Sequence, residues 1–175
     1  GGGGGGGGGR RGAGIGRRGD DPPGQGHKAT GRDSYLRAGI YQYNAERFIP
    51  PGPDKKAQCG HAYKVWHQGI KLRQPNVEFI EVPYEGTTLP ALFMKAHGDG
   101  PKPTLVVLNG MDNAKEMSIF FCGLEFARRG YNTLCLDGPG MGETRRMRDM
   151  PSRFDYEVPA ASAFDFLSQR PDVDA

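Results

Sequence analysis

From residue 33 the apolar positions first follow a helical spacing. Asp33 and Ser34 offer a helix cap, and Leu36, Ile40 and Tyr43 recur behind them until the run meets Pro50-Pro51-Gly52-Pro53. A second helical run starts near Asp54, carries Ala62, Val65, Trp66, Gly69 and Ile70 along one side, and ends before Pro75. A helical hairpin is the expected product, as two helices joined by a short loop pack antiparallel.

After residue 76 the spacing changes. "VEFIEV" (77–82) and "LPALFMKA" (89–96) read as strands, and "PYEGTT" between them reads as a hairpin turn. "TLVVLN" (104–109) is a short unbroken apolar run, the kind expected of a strand buried on both faces. An amphipathic helix follows over 114–130, with Phe121, Leu124 and Ala127 on its apolar side and Gly130 as its stop. Another buried strand is expected at "YNTLCLD" (131–137), and one more helix over 155–170, ending at Pro171. Two helices, an antiparallel pair and then strand–helix–strand–helix predict an α/β fold: a parallel sheet with an antiparallel edge.

Composition divides the chain differently. Residues 1–32 hold 16 of the 29 glycines and almost no large apolar side chains, so they are expected to be disordered. Six basic against two acidic residues leave that stretch at +4; with the whole chain at +3, everything beyond residue 32 carries −1. The positive balance therefore belongs to the tail, and no polyanion-binding domain is implied. No run approaches the roughly 20 apolar residues of a membrane span, and no signal peptide is visible. Cys59, Cys122 and Cys135 have no metal-like spacing; Cys122 and Cys135 sit in apolar runs and read as buried small hydrophobes. A reducing, cytoplasmic setting is the default expectation, with no metal and no cofactor. The nine opening glycines, the absence of an initiator Met and the ending at "RPDVDA" read as a piece of a longer protein.

The candidate chemistry begins at "NTLCLDGPGMGET" (132–144). Gly138, Gly140 and Gly142 fit neither G-x-G-x-x-G nor G-x-x-x-x-G-K-[ST], no Lys-Ser/Thr pair is present, and no helix is expected directly behind them, which counts against phosphate binding. A turn at the carboxyl end of a sheet strand explains the residues without chemistry: Asp137 accepts from the following backbone N–H groups while the glycines let the chain reverse. "LNGMDNAKE" (108–116) shifts the balance, being a second Gly-bearing loop at the end of a buried strand and leading into a helix. Two neighbouring strand ends of this kind build half of an α/β-hydrolase active site, the loop after the third strand supplying one backbone N–H of the oxyanion hole. Such a donor stabilises negative charge that develops on a substrate carbonyl oxygen. Met111 is the candidate donor, with Gly110 giving room for close approach and Asp112 beside it. Asp137, Gly138, Gly140 and Gly142 would shape the substrate pocket.

"EVPYEGTTLPALF", "NGMDNAKE", "RRGYNTLCLDGPGMGET" and "RPDVDA", in that order and spacing, resemble the α/β-hydrolase group of the 2,6-dihydroxypseudooxynicotine hydrolase-like enzymes and the polyketide chain-shortening hydrolases. The resemblance covers residues 33–175. It implies an incomplete α/β-hydrolase sheet (its first four strands, within residues 76–175), preceded by an N-terminal helical cap segment (33–75) and the disordered Gly/Arg tail (1–32). It also implies a small-molecule carbonyl substrate, cleavage of an ester or of a carbon–carbon bond beside a ketone, and a Ser–Asp–His triad; a homodimer is an option for the intact protein. None of Ser34, Ser118, Ser152, Ser162 and Ser168 lies in a G-x-S-x-G elbow, and His27, His61, His67 and His97 all precede the place of a catalytic His. The fifth strand, the elbow and the triad are therefore expected beyond Ala175, and these residues alone are not expected to hydrolyse anything. Without that strand "TLVVLN" would be an apolar edge, which favours aggregation.

Other features have plainer readings. Cys59-Gly60-His61 lacks a second ligand pair, Trp66 is as well explained by packing as by lining a channel with His67, and Arg145, Arg146 and Arg148 read as a solvated loop face. "RRGAGIGRRG" resembles RNA-binding Arg-Gly segments but has no interleaved aromatics. Two rival functions stay open: a non-catalytic binding module on the same fold, and an RNA-associated protein acting through Arg10, Arg11, Arg17 and Arg18.

Overall fold

A computed structural model of the chain describes residues 28–174. It divides into two compact units between Pro75 and Asn76.

The first unit pairs α1 (Lys28–Ala45), prolonged by a 3-10 turn (Glu46–Phe48), with α2 (Pro53–Arg73). α1 begins inside the stretch expected to be disordered, and Asp33 and Ser34 lie in its interior instead of capping it. Asp33 is engaged across the pair, its carboxylate accepting from the Arg73 guanidinium. Residues 1–27, with the Arg/Gly reading of them, lie outside the described residues. Pro53 opens α2, where a missing N–H breaks no helical bond. Leu36 faces Gly69 and Trp66 faces Gly39, so closely that a Cβ on either glycine would collide with its opposite number. That reciprocal fit runs the two helices antiparallel. Tyr43 is fully buried with Trp66 and Tyr63, at ring-centroid distances of 5.5 and 6.0 Å. Trp66 is thus a packing residue. Cys59 is buried while His61 is exposed, so the two do not make a pair.

The second unit is built on a five-stranded sheet: β1 (Val77–Tyr84), β2 (Thr87–Met94), β3 (Lys102–Leu108), β4 (Asn132–Leu136) and β5 (Val173–Asp174), in the order β1-β2-β4-β3-β5. β1 and β2 are antiparallel across a two-residue turn in which Glu85 and Gly86 take φ of 39° and 77°. Such turns match the twist of the strands they join. β2 pairs antiparallel with β4, and β3 lies parallel to β4 and to β5. Alternate residues of β2 and β4 serve the two faces. Leu89, Ala91, Phe93, Leu134 and Leu136 form one core with Ala163 and Leu167 of α6 (Glu157–Ser168). Met94 turns the other way, toward Ile119 and Gly123.

Four expectations are corrected here. The fifth strand already begins at Val173–Asp174, where it pairs with Lys102 and Pro103. β3 is not buried on both faces: Val106 and Leu108 are 36% and 37% exposed, because from Thr104 onward β4 is its one neighbour among the described residues. The helix expected over 114–130 is α3 (Lys115–Ser118), a π-helical turn (Ile119–Gly123) and α4 (Leu124–Arg128). The wider turn keeps Ile119, Gly123 and Ala127 on the inner side, leaving Phe121 74% exposed and Cys122 only partly buried. Lastly, a helix does follow the glycine-rich loop at once: α5 (Gly142–Arg148).

Candidate active site

The parallel register of β3 and β4 sets Leu108 beside Leu136, so Asn109 and Asp137 leave the sheet side by side at its carboxyl end. Both loops of interest start there, as ligand sites in open α/β sheets do.

Asp137 is fully buried and joins the two loops. Its Oδ1 accepts from the Lys115 backbone N–H at 2.7 Å and from the Asn109 side-chain amide. Its Oδ2 accepts from the Glu143 backbone N–H at 2.9 Å and from Lys115 Nζ at 3.2 Å. One carboxylate therefore occupies the first turns of α3 and α5, where unpaired N–H groups favour an anion. The phosphate reading fails for a reason the spacing did not give: the chain's own Asp137 holds the N–H that a phosphate would need.

Lys115 is buried under α5, with Nζ 2.9 Å from Glu116, 3.2 Å from Asp137 and 2.6 Å from Glu143. Burial alone would push its ammonium down, but the three carboxylates outweigh it and hold the group well above the usual lysine range. Burial pushes the Asp137 carboxyl up, and the nearby Glu116 charge adds to this; Lys115 and the two backbone N–H groups oppose without cancelling it. Arg148 closes the cluster from outside, reaching Glu143 at 3.2 Å, Glu81 at 2.7 Å and the Thr88 carbonyl at 3.0 Å. It ties α5 to the hairpin instead of lying on a solvated loop face.

The three glycines of the second loop are consequences of this packing. A Cβ on Gly142 would run into the Asp137 carboxylate, one on Gly140 (φ 78°) into Ser152, and one on Gly138 into the Tyr156 ring. Tyr156 donates its hydroxyl to the Pro139 carbonyl at 2.8 Å, and its ionisation is pushed up to about 12, first by burial and then by the Asp137 charge. Gly138, Pro139 and Gly140 are all buried.

The first loop is the reverse. Gly110, Met111 and Asp112 are exposed, Met111 to 70%. A Cβ on Gly110 would meet nothing. The Gly110 carbonyl accepts from Asn113 N–H at 3.1 Å, a turn with Met111 and Asp112 at its centre. Among the described residues no group accepts from the Met111 N–H. The residues missed from the sequence are Asn109, Lys115, Glu116, Ser118, Glu143 and Tyr156. Only Asn109, at the end of an apolar strand and level with Asp137, carried a local signal; a lysine between Ala114 and Glu116 gives no sign of burial.

Comparison with known proteins places this arrangement. Alpha/beta hydrolase xenA of Xenoacremonium sinensis is 33% identical over 160 residues, which take in 85% of this chain and 36% of that protein. The chain is a homologue of the α/β-hydrolases. The 2,6-dihydropseudooxynicotine hydrolase of Paenarthrobacter nicotinovorans is 30% identical over 118 residues, 66% of this chain and 31% of that one. A crystal structure of 2,6-dihydroxy-pseudo-oxynicotine hydrolase has the same fold, with a TM-score of 0.77 at 21% identity over 93% of this chain and 45% of that one. No family model matches the chain. It spans about a third of the length of these curated relatives, and its five strands are an incomplete α/β-hydrolase sheet. Among the described residues no helix is long and apolar enough to cross a membrane.

Proposed function

We propose that the intact protein is a serine hydrolase cleaving an ester, or a carbon–carbon bond beside a ketone, in a small carbonyl substrate. The residues present supply one wall of that site: the Met111 N–H as an oxyanion donor, flanked by Gly110 and Asp112. The serine nucleophile, acid and histidine would come from sequence beyond residue 175, since no serine of this chain lies in a G-x-S-x-G elbow. When the serine oxygen adds to the carbonyl carbon, the electron pair moves onto the carbonyl oxygen. A backbone N–H already in place stabilises that charge without reorganising.

The observation carrying this reading is the Met111 N–H, without an acceptor in an exposed turn beside the buried end of β4. Support comes from the hydrolase homologues, several of them named α/β-hydrolases. The test is Met111→Pro in the full-length protein. Met111 follows Gly110 in a turn closed from Gly110 to Asn113, a position where proline is favoured, so the N–H is lost with little change of shape. Loss of one such donor lowers kcat by about 10²–10³-fold, measured on ester and β-diketone probes, while Met111→Leu stays near wild type. An equal, small effect of both substitutions would remove Met111 from the mechanism.

A further inference from the structure

We propose that Asp137 and Ser118 are positioning residues for the Met111 N–H, gripping the β3–α3 loop at both ends so that its exposed tip keeps one conformation. The inference deepens the oxyanion reading above and rests on it.

The loop is held through its ends. On the strand side, Asn109 donates its amide to Asp137 and, at 3.1 Å, to the Leu136 carbonyl. On the helix side, the Lys115 N–H donates to the same carboxylate oxygen. Ser118 makes a second bracket one turn into the helix: its hydroxyl donates to Asn109 Oδ1 and accepts from the Asn113 amide at 3.2 Å. Asn113 in turn accepts from the Ala114 N–H at 2.9 Å. Each anchor therefore joins the first residue before the tip to a residue after it.

Asp137, Ser118 and Asn109 are 0%, 3% and 6% exposed, whereas Met111 is 70% exposed. The anchors lie beneath the loop, out of a substrate's reach, and the Met111 side chain has little packing of its own. The anchors hold the loop around it, because an exposed turn with few buried contacts opens easily. Precision matters here: an oxyanion donor works within a few tenths of an ångström of its place. The sequence reading gave Asp137 a pocket-lining role; its inward side chain assigns it to the scaffold of the neighbouring loop.

The experiment uses the full-length protein with Asp137→Asn, and with Ser118→Ala as the milder variant should Asp137→Asn fail to fold. Amide exchange at Asn113, Ala114 and Lys115, whose N–H groups donate to Gly110, Asn113 and Asp137, is expected to speed up at least tenfold in either variant, with the β1–β2 hairpin unchanged. Unchanged exchange at Asn113, Ala114 and Lys115, or equal acceleration across the whole sheet, would overturn the bracket. Steady-state kinetics on an ester probe should show kcat reduced tenfold or more at near-constant KM. Adding either substitution to Met111→Pro should lower kcat no further, because the donor being positioned is already gone. An additive loss would mean that Asp137 and Ser118 act otherwise than through Met111. Absence of any turnover by the wild-type protein would sink the hydrolase reading instead, and the exchange measurement would still decide the bracket.

Discussion

The two loops at the carboxyl end of the sheet have similar sequences and opposite fates. "DGPGMG" has three glycines in five residues and is packed shut: each glycine is there because a Cβ would strike Tyr156, Ser152 or Asp137. "NGMDN" has one glycine with open space around it, and its centre is exposed. Glycine density marks the scaffold here, and the sparser loop carries the free N–H. The lesson is physical. Glycine records close approach of any atoms, and the approaching group in the second loop is the protein's own carboxylate rather than a ligand.

The largest effect should come from the charge that joins the loops. Lys115→Met leaves Glu116, Asp137 and Glu143 facing one another without their shared cation. Breaking a buried ion pair from one side costs about 3–5 kcal/mol, read as a shift of the denaturant midpoint at constant slope. A loss below about 1 kcal/mol would mean that the cluster does not hold the loops together. Next is the direct contrast between glycines. Gly140→Ala combines a left-handed backbone with a collision and should cost about 2–4 kcal/mol. Gly110→Ala meets nothing and should stay within about 0.5 kcal/mol. Equal costs would erase the distinction between the loops.

A smaller effect sharpens the picture of the helix behind the exposed loop. Cys122, on the π-helical turn, donates its thiol to the Ser118 carbonyl at 3.2 Å. A hydrogen bond from Cys135, working against burial, brings its ionisation down to about 7. Its alkylation rate should therefore rise with a midpoint near pH 7, and Cys135→Ala should move that midpoint up toward the ordinary 9.0. An unmoved midpoint would show that the neighbouring thiol is not the cause.

The smallest effect is a control away from both loops. Asp172 is held down to about 2, chiefly by its hydrogen bond from Arg170. It therefore contributes stability above the ordinary 3.8 and loses it as the pH falls toward 2. Asp172→Asn should flatten the melting temperature across that window. Lys115 behaves oppositely: its raised value keeps its contribution whole below the ordinary 10.5, to be lost only as the pH climbs beyond. Thermal melts from pH 2 to 12 test both signs, and an acid-side slope unchanged in Asp172→Asn would refute the first.

Much of the fold was legible in the pattern of residues. The helical spacing of Ala62, Val65, Trp66, Gly69 and Ile70, the Pro-Pro-Gly-Pro corner, the hairpin and the buried strand expected over 131–137, which is buried from Asn132 on while Tyr131 is exposed, all follow from local chemistry, because period and turn residues are read within one element. The boundaries were less legible. α1 runs through Asp33, whose carboxylate engages Arg73 forty residues on, and α5 starts at Gly142, where Asp137 meets the Glu143 N–H.

What the sequence determined by itself was the α/β order, the two strand-end loops and the resemblance to hydrolases. Which loop is open and which is shut was decided only by the tertiary structure. The cause is the parallel register that sets Leu108 beside Leu136: it brings Asn109, Lys115 and Glu143 around one buried carboxylate, and residues up to 34 positions apart in the chain cannot announce that meeting locally.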